Sequence, residues 1–320
     1  MTMSEKYPST LGKDSVFEHL RKSMADSIAR RTEGNHDSPS AVAGLTLFRR
    51  ETPMLPTLCL VETSIVLAVQ GEKQMLVAGS SYPYNAERFL ITSLDIPANS
   101  QVLEASQEKP CLGFAFRLDI RIMTELMAQE STPPSVHRSG GDASGMGLGS
   151  VTAALLEPFK RMIDLLDEPQ SISVLAPLIE REIHYRLLHS DQGERLRNIA
   201  SVGSQGHRIA RAISWLKTNY CQSLRIEELA AHVQMSPSSL YQHFRQLTAL
   251  SPLQYQKWLR LNEARRLMFS EGMNAASAGF QVGYESPSQF SREYTNLFGA
   301  PPRRDIEALR RKFFCQEAGT

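Results

Sequence analysis

One pattern occurs twice in the last third of the chain. Residues 236–247 read Ser-Pro-Ser-Ser-Leu-Tyr-Gln-His-Phe-Arg-Gln-Leu, and residues 286–297 read Ser-Pro-Ser-Gln-Phe-Ser-Arg-Glu-Tyr-Thr-Asn-Leu. Each copy opens with serine, a good N-cap, and with proline where the missing N–H costs nothing. Each follows a short apolar helix pattern and a turn. Such a pair constrains this part of the chain to two helix-turn-helix units, whose second helices are candidates for the DNA major groove.

In the first unit, Ile226, Leu229, Ala230 and Val233 recur at helical spacing, and a turn through Gln234 and Met235 leads to Ser236. Leu240, Phe244 and Leu247 form the inward stripe of the next helix, which leaves Ser238, Ser239, Gln242 and Arg245 outward with Tyr241 on their flank. In the second unit, Ala276 and Phe280 mark the first helix and Gly283 supplies the permissive turn residue. Phe290, Tyr294 and Leu297 then point inward, and Ser288, Gln289 and Arg292 outward. Gln suits bidentate pairing with adenine and Arg with guanine. Between the units, residues 253–271 read as one connecting helix that stops at Gly272.

A helical bundle with no nucleic-acid role would share the caps and stripes. Charge argues against it. Residues 208–320 hold 15 Lys/Arg and 9 Asp/Glu, a balance of +6, whereas residues 1–207 hold 20 and 25, a balance of −5. The basic half carries the repeat, as phosphate contacts require. Arg303, Arg304, Arg310, Arg311 and Lys312 either touch the DNA backbone or keep the terminus soluble.

Residues 208–304 resemble the AraC/XylS family of bacterial transcription regulators. The resemblance is carried by Gly283-Tyr284-Glu285-Ser286-x-Ser288-x-Phe290-Ser291-Arg292-x-Tyr294, then Phe298-Gly299 and Pro301-Pro302. It implies binding to a double-stranded DNA operator through the first turns of both recognition helices, at Ser238, Tyr241 and Gln242 and at Ser288, Gln289 and Arg292. Tyr294 stands where the family often has Phe, and the serines have short reach.

The front half differs. After a polar lead over residues 1–40, expected to be mobile, β-like runs cover 45–49, 56–61, 64–70, 73–77, 88–93, 101–105 and 111–118. Short strands with regular turns indicate a small barrel or sandwich. Apolar stripes over 120–129, 151–166 and 172–188 predict helices, with Pro158 and Pro177 interrupting the latter two and a Gly/Ser-rich loop over 139–150. The runs at 64–73, 82–84, 89–97 and 104–110 resemble the cupin-type N-terminal domain of one AraC subgroup. That resemblance implies a domain that senses a small effector, aldehydes being among those attributed to members, or that mediates homodimer contacts.

The expected fold class is therefore α+β with two domains. An N-terminal cupin-like β-barrel with flanking helices over 41–190 precedes a linker over 191–207, a C-terminal all-α double helix-turn-helix over 208–312 and a tail over 313–320.

Candidate effector contacts are Cys59, Lys73, Tyr82, Tyr84 and Cys111. Each has a plainer reading. The two thiols fit a core, Lys73 and Arg88 fit solvated strand ends, and the tyrosines, which share a side of their strand, fit a barrel filling. His184 and His189 read as surface or interface residues. All eight histidines fall outside 44–118, so the strands lack the ligands of a metal-dependent cupin, and no enzymatic activity, metal or other cofactor is expected. Cys59, Cys111, Cys221 and Cys315 are too dispersed for a zinc cluster. The start lacks a signal-peptide apolar core and the longest apolar run, 65–69, is too short to span a membrane, so the chain reads as cytoplasmic. The expected function is a sequence-specific transcription regulator controlled by a small effector, with RNA polymerase as a further partner if it activates. The alternative is a protein-interaction module without an operator.

Overall fold

The computed structural model describes the backbone of residues 13–129 and 144–317 and the side chains of residues 15–129 and 144–311. It divides into two compact units, Met1–Ser204 and Gln205–Thr320. The start of the expected lead, residues 139–143 of the expected 139–150 loop, His137, Lys312 and Cys315 lie outside those described side chains.

The first unit begins with a correction. Helix α1 (Lys13–Arg31) buries Met24, Ala25 and Ile28, and β1 (Asp37–Pro39) pairs antiparallel with β2 (Leu45–Arg50), so the lead is structured from Lys13 onward. Its apolar stripe is sparse and easily read as polar sequence. Thr32 closes it by donating its hydroxyl to the Ile28 carbonyl at 2.8 Å.

The chain then forms β3 (Met54–Val61), β4 (Ser64–Gln70), β5 (Glu72–Val77), β6 (Ser80–Tyr84), β7 (Arg88–Thr92), β8 (Ile96–Glu104) and β9 (Cys111–Arg117). Helix α2 (Ile120–Gln129) and β10 (Met146–Ser150) follow. Two antiparallel sheets result, ordered β1-β2-β9-β4-β7-β10 and β3-β8-β5-β6. β4 is buried on both faces, as its unbroken apolar run requires. On one side Phe114 and Phe116 stack on Phe159 of α3 (Ala153–Asp164).

Three strands were hidden by their own residues. β6 follows β5 through Ala78 and Gly79, both at positive φ (49° and 87°), the signature of a two-residue primed hairpin. Pro83 is tolerated because β6 is a sheet edge. β10 is rich in glycine, and at Gly149 a Cβ would lie 2.1 Å from the Phe89 ring. β1 is only three residues long.

Pro158 and Pro177 lie within α3 and α4 (Ile172–Leu188) without ending either helix. The expected linker is mostly helical. α5 (Gly193–Ala200) buries Leu196, Ile199 and Ala200, and α6 (Gln205–Asn219) starts four residues after its cap, leaving residues 201–204 as the connection. Gly193 permits the α4–α5 junction, since a Cβ there would sit 2.0 Å from the Leu188 carbonyl oxygen. His184 is not a surface residue. It is fully buried, its Nε2 accepts the Asp119 N–H at 2.8 Å, and its Nδ1 donates to the Glu180 carbonyl at 2.7 Å.

The second unit continues with α7 (Ile226–His232), α8 (Pro237–Thr248), α9 (Pro252–Ser270), α10 (Ala275–Gln281), α11 (Pro287–Phe298) and α12 (Pro302–Glu317). α12 runs past the expected domain end at residue 312. The connecting helix α9 is opened by a reciprocal capping box between Ser251 and Gln254.

Candidate nucleic-acid interface and barrel cavity

The two repeats fold alike. Ser236 accepts the Ser239 N–H at the start of α8, and Ser286 accepts the Gln289 N–H at the start of α11. Both helices end on a left-handed residue, Ala249 (φ 63°) and Gly299 (φ 76°). Each first helix ends in a Schellman pair: Gln234 and Met235 donate to the Ala231 and Ala230 carbonyls at 3.1 and 2.9 Å, and Gly283 and Tyr284 to those of Phe280 and Gly279 at 3.0 and 2.9 Å. The left-handed positions are Gln234 (φ 57°) and Gly283 (φ 92°).

An arginine on an earlier helix caps each turn. Arg208 donates to the Gln234 carbonyl at 3.0 Å and Arg260 to the Gly283 carbonyl at 2.9 Å. Arg260 also reaches the Tyr220 and Gln222 carbonyls at 2.6 and 2.8 Å. Arg211 caps the His232 carbonyl, Arg310 donates to that of Met268, and Arg265 forms a two-pronged pair with Asp305, both arms at 2.8 Å. Part of the basic surplus is thus committed to the fold. Arg310, read from sequence as a terminal cation, belongs to this group.

On α8, Ser238, Tyr241, Gln242 and Arg245 are exposed around the buried Leu240 and Phe244. On α11, Ser288, Gln289 and Arg292 are exposed around Phe290 and Tyr294. Among the described residues no hydrogen bond or ion pair engages the side chains of Gln242, Arg245 or Arg292. Gln289 differs, because its amide donates to Glu293 at 3.2 Å. Glu293 also accepts Lys257 at 2.9 Å and the Tyr284 hydroxyl at 2.8 Å, and these partners hold its carboxyl below the ordinary range against the opposing effect of burial. Gln289 is therefore pre-oriented by a group that single-helix patterning did not single out.

Ala276 and Phe280 face outward, Phe280 being 55% exposed, and the inward face of α10 is Ala278, Gly279 and Val282. The small residues win because α11 lies close: a Cβ on Gly279 would meet the Phe290 ring at 3.0 Å.

In the first unit a cavity of 560 Å³ is walled by both sheets. Strand alternation puts Lys73, Met75 and Val77 on one face of β5, with Tyr84 and Val102 opposite Lys73 on the flanking strands. Cys59, Lys73 and Tyr84 line the cavity. Cys111 is buried beneath Gly71, its Cβ 2.8 Å from where a glycine Cβ would stand, and is not part of the lining. Tyr82 is half-buried, its hydroxyl 3.5 Å from Ser144 Oγ, and is not part of it either. Lys73 is only 8% exposed, so it is no solvated strand end, and Arg88 at the exposed start of β7 is one. Burial pushes the Cys59 thiol up and that of Cys111 to about 11, the chemistry of inert core thiols. Among the described residues no group of three or more His, Cys, Asp and Glu is placed to hold a metal, and no helix is long and apolar enough to cross a membrane.

Known proteins bear on both units. The profile of the AraC-type transcriptional regulator N-terminus matches residues 41–195, and that of a helix-turn-helix domain matches residues 229–307. The chain belongs to the AraC/XylS family of transcriptional regulators. Among curated AraC/XylS-type relatives, the HTH-type transcriptional regulator ArgR of Pseudomonas aeruginosa is 27% identical over 144 residues, 45% of this chain and 44% of that protein. The HTH-type transcriptional activator RhaS of Pectobacterium carotovorum is 22% identical over 178 residues, 56% of this chain and 62% of that one. The chain thus matches about half the length of these relatives. ToxT of Vibrio cholerae, solved with an unsaturated fatty acid bound, shares the fold at TM-score 0.56 with 10% identity, covering 82% of this chain and 94% of ToxT. The α+β, two-domain expectation holds, with the front half as two facing antiparallel sheets.

Proposed function

We propose that this protein is a sequence-specific DNA-binding transcription regulator whose N-terminal domain responds to a small effector. One observation carries the first half of that reading: two identically capped helices expose Ser238, Gln242 and Arg245, and Ser288 and Arg292, from stripes whose other faces are core. These are side chains suited to base edges and phosphates, on helices of the kind that enter the major groove. The walled cavity, the match to the regulator N-terminus and the ligand-bound ToxT fold support the second half.

As parts of the same proposal, the protein acts in the cytoplasm as a homodimer and engages RNA polymerase where it activates. Val174, Leu178 and Tyr185 support the dimer. They are exposed and fall within about 40° of one another around α4, an apolar stripe that a second copy would cover.

The test selects bound sequences from random DNA with the full-length protein and titrates the winner and a scrambled control at physiological salt. The expected result is a preference of about a thousandfold or more. Equal affinity for both sequences would remove the regulator reading.

A further inference from the structure

The cavity holds two polar groups whose needs the protein leaves unmet. Lys73 projects into it from the inward face of β5, its Nζ 4.2 Å from the centre of the Phe48 ring. Among the described residues no carboxylate pairs with it. Of the acids in the cavity wall, Asp37 accepts from Arg50 Nη2 on both carboxylate oxygens, at 2.8 and 2.9 Å, and Glu62 is exposed. The nearby thiols of Cys59 and Cys111 stay protonated at neutral pH, since burial raises both, and offer no counter-charge. Tyr84 stands opposite Lys73 in the strand register, fully buried. Its hydroxyl lies beside Ser100 but makes no hydrogen bond of acceptable geometry.

Both groups present donors. Burial and the nearby Arg50 charge pull the Lys73 pKa below that of a free lysine, so its ammonium, with three N–H bonds and no acceptor, calls for a partner that brings a negative charge, and the tyrosine hydroxyl adds one O–H donor. A carboxylate brings the charge and accepts from both. A phosphate dianion asks for a second free cation within the cavity, whereas Arg50 is already committed and Arg117, the other arginine of the wall, is exposed at the end of β9. A sugar asks for donors and acceptors spread around the wall, whereas Phe48, Met54, Val66, Met75 and Val102 make much of this wall apolar. A volume of 560 Å³ suits a ligand of small-metabolite size.

We infer that the cavity binds a small apolar molecule bearing a single carboxylate, held by the Lys73 ammonium and the Tyr84 hydroxyl with its apolar body against the Phe48 and Met75 side. This rests on the proposed reading of the N-terminal domain as an effector domain, and it names that effector's chemistry.

The experiment measures calorimetric binding to the full-length protein for matched pairs: octanoate against 1-octanol, and 3-phenylpropanoate against 3-phenylpropanol. The acids are expected to bind at least about tenfold more tightly than their alcohols. Lys73→Met is expected to erase the difference, and Tyr84→Phe to narrow it several-fold. Acids that bind no better than alcohols, or not at all, overturn the inference, and this comparison needs no variant to fold. A folded Lys73→Met protein that keeps the acid preference also overturns it. Gel shifts on selected DNA run alongside separate the two readings. Acid binding that leaves DNA binding unchanged supports the site and removes its role as effector. DNA binding that responds to the alcohols and not to the acids overturns the carboxylate assignment and leaves the regulator.

Discussion

Arg260 of α9 donates from Nη1 to the carbonyl oxygen of Gly283 at 2.9 Å, fixing the turn of the second helix-turn-helix to the helix that joins both repeats. The same guanidinium grips the Tyr220 and Gln222 carbonyls between α6 and α7, with Gln256 reinforcing it at 3.1 and 2.7 Å. The two repeats are therefore tied through one side chain as well as through the helix. Both tryptophans of the chain, Trp215 and Trp258, lie in this unit, so their fluorescence reports its unfolding separately.

Gly283→Val is expected to lower the stability of that unit by at least about 3 kcal/mol. The backbone is left-handed at φ 92°, and a Cβ would meet the Cys221 carbonyl oxygen at 2.1 Å. Gln234→Gly, at the matching turn, is expected to change stability by no more than about 1 kcal/mol, in either direction. Denaturant titration followed by tryptophan emission compares the two. A Gly283→Val protein that unfolds like wild type refutes the turn assignment.

Arg292→Ala is expected to weaken binding to selected DNA by about 1–3 kcal/mol while leaving binding to random DNA nearly unchanged. Its side chain is exposed and has no partner within the described residues, so the fold loses nothing. Equal losses on both DNAs in a fluorescence-anisotropy titration mean that Arg292 grips phosphate.

Asp305→Ala is expected to cost about 2–4 kcal/mol, because it strips the acceptor from Arg265 and from the Tyr294 hydroxyl, 2.7 Å away. Tyr294→Phe removes one of those bonds together with its donor and is expected to cost about 1 kcal/mol. Comparable losses for the two substitutions, in the same denaturation assay, contradict a charged network at this site.

His184 gives the first unit a pH dependence. Burial pulls its pKa below the ordinary value, so the native state holds it neutral while the unfolded chain protonates near pH 6.5. Its contribution is fully present above about pH 6.5 and is lost as pH falls through and below that value. Circular-dichroism melts at pH 7.5 and 5.5 are expected to show a larger drop for wild type than for His184→Gln. Parallel drops refute the assignment. Glu180, whose carboxyl burial pushes up, is common to both proteins and cancels in the difference.

What was legible in the sequence followed short-range physics. Ser-Pro openings, a stripe at helical spacing and, in the second unit, a turn glycine place the starts of α8 and α11 to the residue, because each signal acts within one or two turns. Which face of α10 turns inward was not legible, because the Gly279–Phe290 contact that decides it lies outside the helix. Lys73 was half legible: alternation with Met75 and Val77 announced an inward face, but a charge at the start of a strand invites the solvated reading. His184 was not legible at all, since its partner is a backbone N–H 65 residues away. β10 disguised itself as a glycine loop because its pairing needs a partner ring to settle over Gly149.

Helix α9 sets the geometry between two reading heads by counting residues. It spans 19 residues, about 28 Å, with Trp258, Leu261, Ala264, Leu267 and Met268 locked into the cores at either end. A substitution on its outer face leaves that ruler intact. Inserting one residue at its middle would turn everything beyond by about 100° and advance it by about 1.5 Å. Helix α11 would then face a different direction from α8, so the length of this helix sets both the angle and the spacing between them.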